Sequence, residues 1–265
     1  GFDSPISILN IAYYPRDKGP YNYDTDIASN GKLNNPRNRW GGIMREIQTS
    51  DFETSNVEYI EFWLMDPYVL DSAHTGGDLY FNLGEISEDI LRDSRKMFEN
   101  GLPISETDTI TLVDSTVWGR VPRTQSIVNA FNTDPQTRDY QDVGLDGLGD
   151  ESERLYFNNY INQIRNTYGD QSKAYQKAVN DPSSDNFHYY LGSDYDDEER
   201  GVINRYKEYN GLEGNSPPTE GEFAAASTLP SGEDINRDNT LNETETYFQY
   251  KVELRPEQLN TSNKY

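Results

Sequence analysis

The stretch DINRDNTLNETETYFQYKVEL, residues 234–254, decides how the chain is read. Numbered from Asp234 as a twelve-residue loop, it puts oxygen-bearing side chains at position 1 (Asp234), 3 (Asn236), 5 (Asp238), 9 (Asn242) and 12 (Glu245). Position 7 is Thr240, whose backbone carbonyl would be a ligand, and position 8 is Leu241, an apolar plug. This is the spacing of an EF-hand calcium loop, where a hard cation gathers about six to eight oxygens from one turn. Position 6 is Asn239 in place of the usual Gly. Asn tolerates left-handed backbone angles best after Gly, so the turn stays possible. The plainer alternative is an acidic solvated turn. The residues beyond position 12 set the fold: TYFQYKVEL (246–254) alternates with the period of a strand, not a helix. A calcium ion there would staple a strand in place instead of opening a groove as a sensor does.

Working outward, other segments carry the same period. PISILNIAYYP (5–15), RWGGIMREI (39–47), VEYIEFWLMDP (57–67), DLYFNLGEI (78–86) and TITLVDSTVWGRVP (109–122) read as strands, with a long Gly/Pro/Asn/Asp loop at 16–38. Residues 57–67 are apolar on both faces, which predicts a central strand with Trp63 in the core. Helical periodicity is confined to SEDILRDSRKMFENG (87–101), TQSIVNAFN (124–132), ERLYFNNYINQIRNTYG (153–169), QSKAYQKAVNDP (171–182) and ERGVINRYKEYNG (199–211). In the longest, Leu155, Phe157, Tyr160, Ile161 and Ile164 face inward; residues 183–200 read as a polar acidic segment. The expectation is a mainly β fold over residues 1–265, an antiparallel, jelly-roll-like β-sandwich closed by the first and last strands. A helical insertion occupies about 124–211, and a Pro/Gly/Ser-rich linker at about 216–233 leads into the calcium loop.

A second acidic stretch, QDVGLDGLGDESE (141–153), fits the same template less completely. Started at Asp142, it gives Asp146 at position 5, Gly147 at 6, Leu148 (by its carbonyl) at 7, Asp150 at 9 and Glu153 at 12. Position 3 is Gly144, which has no side-chain oxygen, and position 8 is Gly149 where a plug belongs. The competing reading is a glycine-rich turn whose acids begin the next helix, where negative charge suits the dipole.

The chain carries 23 basic and 46 acidic side chains, a formal charge of −23, which repels nucleic acid and anionic lipid. Tyr (20) and Phe (10) supply the bulk for a core despite only 34% apolar residues. With no cysteine, disulfides, thiolate catalysis and Cys-ligated zinc are excluded. No apolar run reaches the roughly 20 residues of a membrane helix, and no signal peptide opens the chain.

His74 and His188 lie in unrelated contexts, which argues against zinc or acid–base work. Carboxylates are too abundant for spacing to single out a catalytic pair, and no phosphate loop or GxSxG occurs. The reading is therefore non-enzymatic, with a hydrolase built on surface carboxylates the weakest alternative. Trp40, Trp63 and Trp118 could line a sugar platform, so a carbohydrate-binding or adhesin-type module on the cell surface is the second function considered.

NPRNRWGGIMR (35–45), EYIEFWLMDPY (58–68), GDLYFNLGEISEDILRDSRKMFENGLP (77–103), QDVGLDGLGDE (141–151), SSDNFHYYLGSDYD (183–196), RYKEYNGLEGNSP (205–217) and EDINRDNTLNETETYFQYK (233–251) together resemble the SprA/Sov family. That family is the outer-membrane translocon of the type IX secretion system, also tied to gliding motility. The resemblance implies a fragment of a much longer barrel protein. Lacking lipid-facing alternation and aromatic girdles, the fragment would be a domain outside the bilayer, on the cell surface or in the periplasm. It implies as partners the rest of the translocon barrel, other type IX subunits and exported cargo, with gating or docking as the role.

Overall fold

The computed structural model of the chain describes residues 11–47, 51, 53–64, 71, 73–88, 95–96, 101–124, 131–132, 134–206, 213–214, 235–236 and 240–258. The chain divides into two compact units, Gly1–Gly42 with Arg95–Gly232, and Ile43–Ser94 with Glu233–Tyr265.

In the first unit, the core is built where helices meet the long loop at 16–38. Helices α1 (Arg138–Gln141), α2 (Asp150–Tyr156), α3 (Asn158–Tyr168), α4 (Lys173–Asn180), α5 (Ser193–Asp197) and α6 (Val202–Tyr206) follow one another, after a short hairpin of β2 (Val113–Ser115) and β3 (Arg120–Pro122). The periodicity at 153–169 is realised as two helices broken at Phe157, whose backbone leaves helical angles. Phe157, Ile161 and Ile164 are buried as the period requires, whereas Leu155 is 80% exposed because it falls on α2, before the break. The Ser172 hydroxyl caps α4 by accepting the Tyr175 N–H at 3.1 Å. Ala174 and Ala178, four residues apart on α4, are small enough to let the loop approach. Ile27 and Leu33 from that loop insert beside Ile164, and Tyr160, Tyr168 and Tyr175 close the rim. Burying each large apolar side chain is worth roughly 1.5–3 kcal/mol.

The loop is ordered by its own polar side chains. Arg39 pairs with Asp24 and Asp26, and Asn34 Nδ2 donates to Asp26 Oδ1 at 3.0 Å. Its Asp and Asn residues thus set turns that carry two apolar plugs.

In the second unit, β1 (Gly77–Glu85) and β4 (Thr246–Leu254) pair antiparallel along nine residues each, from Gly77 opposite Leu254 to Glu85 opposite Thr246. The strand read at 246–254 is formed over those nine residues. Gly84, at φ 148°, lies so close to β4 that a Cβ would come within 2.4 Å of the Thr246 carbonyl oxygen. Asp78 anchors the open end through Lys251 and Arg255, both at 3.1 Å.

The described residues contain helix (24%) and strand (15%), the strands forming two two-stranded antiparallel sheets. Two strand expectations are corrected. Residues 39–47 and 57–64 form no strand, and Trp63 is fully exposed instead of sitting in a core. Alternation specifies the faces a strand would have, but a strand exists only where a partner ladder satisfies its backbone. Within the segment expected to be polar and irregular, α5 forms because Tyr195 is buried against His188. Most of the helices expected at 87–101 and 124–132, the strand start at 5–10 and the linker at 216–233 lie outside the described residues.

Candidate functional site

The acidic stretch from Asp142 to Glu153 closes on itself between β3 and α2. Its glycines permit this: Gly144 and Gly147 have φ of 79° and 66°, angles that cost L side chains strain. Gly147, at position 6 of the template, has the Arg120 carbonyl oxygen 2.4 Å from where its Cβ would lie. Arg120 then donates from Nε and an Nη to the Gly147 carbonyl at 2.9 and 2.7 Å, and its own N–H reaches the Asp146 carbonyl at 2.7 Å. Leu148 is buried, so the apolar plug missing at position 8 is supplied one residue earlier.

The folded loop brings acids together. Asp146 and Glu153 meet Asp185, which arrives from the turn after α4; one carboxylate oxygen from each lies within 4.8 Å of the others. All three are essentially inaccessible, at 1%, 0% and 0% exposure. A second group, Asp150, Glu153 and Asp181, has the same spacing and uses Glu153 again. Glu213 adds its carboxylate nearby, its backbone laced to Val143 and Asn186 by β-bridges.

Hydrogen bonds satisfy only part of this charge. Ser183 Oγ donates to Asp146 Oδ2 at 2.6 Å, the Ser183 N–H to Glu153 Oε2 at 3.0 Å, and the Leu148 N–H to Asp146 Oδ1 at 3.0 Å. Glu153 Oε1, Asp185 Oδ1, Asp150 Oδ1 and Glu213 Oε2 are buried with no hydrogen-bond partner. Burial, then the negative neighbours, pushes Glu153 and Asp185 far above the usual carboxylate range, while Asp146 is pushed up to about 7 chiefly by burial. Glu213 is also raised to about 7, and Asp181 is raised, both by burial first. A buried ionised carboxylate without a partner is costly. A hard divalent cation bound by oxygen ligands removes that cost, and an all-carboxylate set suits calcium.

Of the sequence-predicted ligands, Asp146 and Glu153 converge. Asp150 joins the adjoining group, and Asp142 is buried with its carbonyl accepting the Gly214 N–H at 3.1 Å. Asp181, Asp185 and Glu213 were not foreseen. The missing oxygen at position 3 signals that a ligand must come from elsewhere, but nothing in the sequence says from where.

The other predicted loop is held differently. Asp234 and Asp238 lie outside the described residues. Leu241 is buried, as a plug should be, whereas Asn236, Thr240 and Glu245 face solvent and Asn242 is half-buried. Glu245 accepts a bond from Ser87 Oγ at 3.1 Å. Buried Glu88, another unforeseen participant, accepts the Ile235 and Asn242 N–H groups at 2.9 Å each, and its own N–H donates to the Asn242 carbonyl at 2.6 Å.

Neither histidine belongs to an acidic cluster. His74 Nδ1 accepts the Gly76 N–H at 2.9 Å, and His188 Nε2 meets Asp194 Oδ2 at 2.7 Å.

The stretch that contributes Asp181, Asp185, Glu213 and the whole Asp234–Glu245 loop matches a known family: residues 159–265 fit SprA_N, described as a motility related/secretion protein. Over these residues the chain is similar to the SprA family. No curated protein matches the chain. The buried carboxylates thus join the SprA_N stretch to Asp146, Asp150 and Glu153, which precede it. Among the described residues, no helix is long and apolar enough to cross a membrane.

Proposed function

We propose that this chain is a non-enzymatic, calcium-stabilised part of a protein-secretion and motility machine, lying outside the bilayer at the outer membrane and acting in gating or in docking partners and cargo. The SprA_N match over residues 159–265 supports the secretion and motility role. The observation that carries the calcium reading is the convergence of Asp146, Glu153 and Asp185, buried and incompletely hydrogen-bonded. The Asp234–Glu245 loop is proposed as a further calcium position, in which Leu241 and Glu88 already hold the backbone. Ions at these places would rigidify a polar, acidic chain whose −23 charge otherwise opposes compaction. The partners that fit this reading are the remainder of the same translocon, other subunits of the secretion system and exported proteins.

The test pairs a thermal melt of the chain, with calcium and with chelator, with export and motility assays of the full-length protein carrying Glu153→Gln in its native host. Calcium should raise the melting temperature, and the substitution should abolish that rise and reduce export. A melt indifferent to calcium, with export unaffected by the substitution, overturns the proposal.

A further inference from the structure

The two carboxylate groups overlap in a single residue. Asp146 and Asp185 belong to one, Asp150 and Asp181 to the other, and Glu153 to both. We infer that the cluster is a two-cation centre in which the Glu153 carboxylate bridges two calcium ions, one held by Asp146 and Asp185 and the other by Asp150 and Asp181.

The proposal rests on the calcium reading above and deepens it. Charge favours two ions over one. The five acids carry five negative charges when ionised, and Glu213 lies close enough to add a sixth. Among the described residues, Arg120 acts on Asp146 and Lys18 on Asp181. Arg120 is committed to the Gly147 carbonyl and Lys18 to the Tyr160 hydroxyl. One divalent ion between Asp146, Glu153 and Asp185 would leave Asp150 and Asp181 close together with Lys18 as a cation beside Asp181.

Hydrogen bonding points the same way, independently of charge. Glu153 is wholly buried, yet its Oε1 has no hydrogen-bond partner, while Oε2 accepts the Ser183 N–H. In either group a Glu153 carboxylate oxygen lies within 4.8 Å of an oxygen of the other two acids. Asp150 and Asp181 are partly buried whereas Asp146 and Asp185 are fully buried, so solvent would reach the second ion more readily and water could complete its coordination. The first ion would lie on the side of Ser183, Tyr21 and Tyr23, with the Tyr23 hydroxyl 2.8 Å from Ser183 Oγ. The two sites should therefore differ in exchange rate, the Asp150–Asp181 ion leaving first.

The test is calcium stoichiometry of the whole chain by equilibrium dialysis, comparing the unsubstituted protein with Asp181→Asn, Asp185→Asn and Glu153→Gln. Asp181→Asn and Asp185→Asn should each remove one ion, and Glu153→Gln should remove two. Asp181→Asn is the safest variant for folding, since the side chain is half-exposed and the change relieves repulsion from Asp150. Stopped-flow chelation should show a fast phase absent from Asp181→Asn. An unchanged ion count in Asp181→Asn, or loss of one ion only in Glu153→Gln, overturns the two-cation centre and leaves a single calcium site. Unchanged counts in all three variants would instead overturn the calcium reading of this cluster itself.

Discussion

Asp185 Oδ2 lies 2.2 Å from the point where a Cβ on Gly144 would sit. Gly144 is position 3 of the acidic loop, where the template expects a side-chain oxygen and finds none. A carboxylate from a turn forty-one residues along the chain (185 − 144) therefore stands in the place that a position-3 side chain would occupy. The gap in the motif is where a carboxylate from another segment enters, and the glycine is what makes room for it.

Gly144→Ala should therefore disable the site without touching a carboxylate. The new Cβ displaces Asp185, and a non-glycine residue at φ 79° adds roughly 1–2 kcal/mol of strain. Urea unfolding should show that loss in chelator and a larger one in calcium, with affinity down about tenfold or more. Equal stability of the two proteins in calcium would show that Asp185 takes no part in binding.

The pH dependence without divalent ions should run opposite to ordinary acid denaturation. Asp146 and Glu213 titrate at about 7 in the folded chain but near the usual carboxylate value, roughly 4, when unfolded. Between those values the folded state holds protons that the unfolded state has released, so stability falls as pH rises from about 4 to 7. Each such proton changes stability by up to about 1.4 kcal/mol per pH unit. Melting temperatures recorded in chelator across this window should decline. In excess calcium the trend should reverse, because the ion competes with protons for the same oxygens.

Glu88→Ala should loosen the Asp234–Glu245 loop. It removes the shared acceptor of two backbone N–H groups, each bond to a charged group being worth about 1.5–3 kcal/mol. Hydrogen exchange at Ile235 and Asn242 should accelerate far more than at Tyr250 in β4. Glu88→Gln, which retains one acceptor oxygen, should lie between. If exchange at the two amides is unaltered, the carboxylate does not hold the loop.

A fourth expectation concerns the helical core. Ser172→Ala removes the cap of α4 and should cost about 1 kcal/mol in urea unfolding, with Ser172→Asp restoring most of it. A cost shared equally by Ser172→Asp would mean that the cap contributes nothing.

Strand β4 and helix α4 were legible in the sequence because each declares itself through local periodicity. The calcium template likewise picked out Asp146, Asp150 and Glu153, and the plug Leu241 is where the pattern puts it. Local patterns were less reliable where the outcome depended on a partner. VEYIEFWL has the alternation of a buried strand, yet residues 57–64 form none and Trp63 is exposed, since pattern alone does not provide a ladder to join. Asp181, Asp185 and Glu213 carried no signal at all among 46 acidic residues.

The sequence by itself determined the local quantities: the strand at 246–254, the glycines that allow a tight acidic loop, the helix within 171–182, and a strongly negative net charge. Tertiary structure alone decided which acids meet. Spacing along a chain constrains only groups a few residues apart, while ligation depends on distances set by packing. Here the turn after α4 packs Asp185 against Gly144 and brings Asp181 to Asp150 and Glu153, turning scattered surface charge into one buried centre.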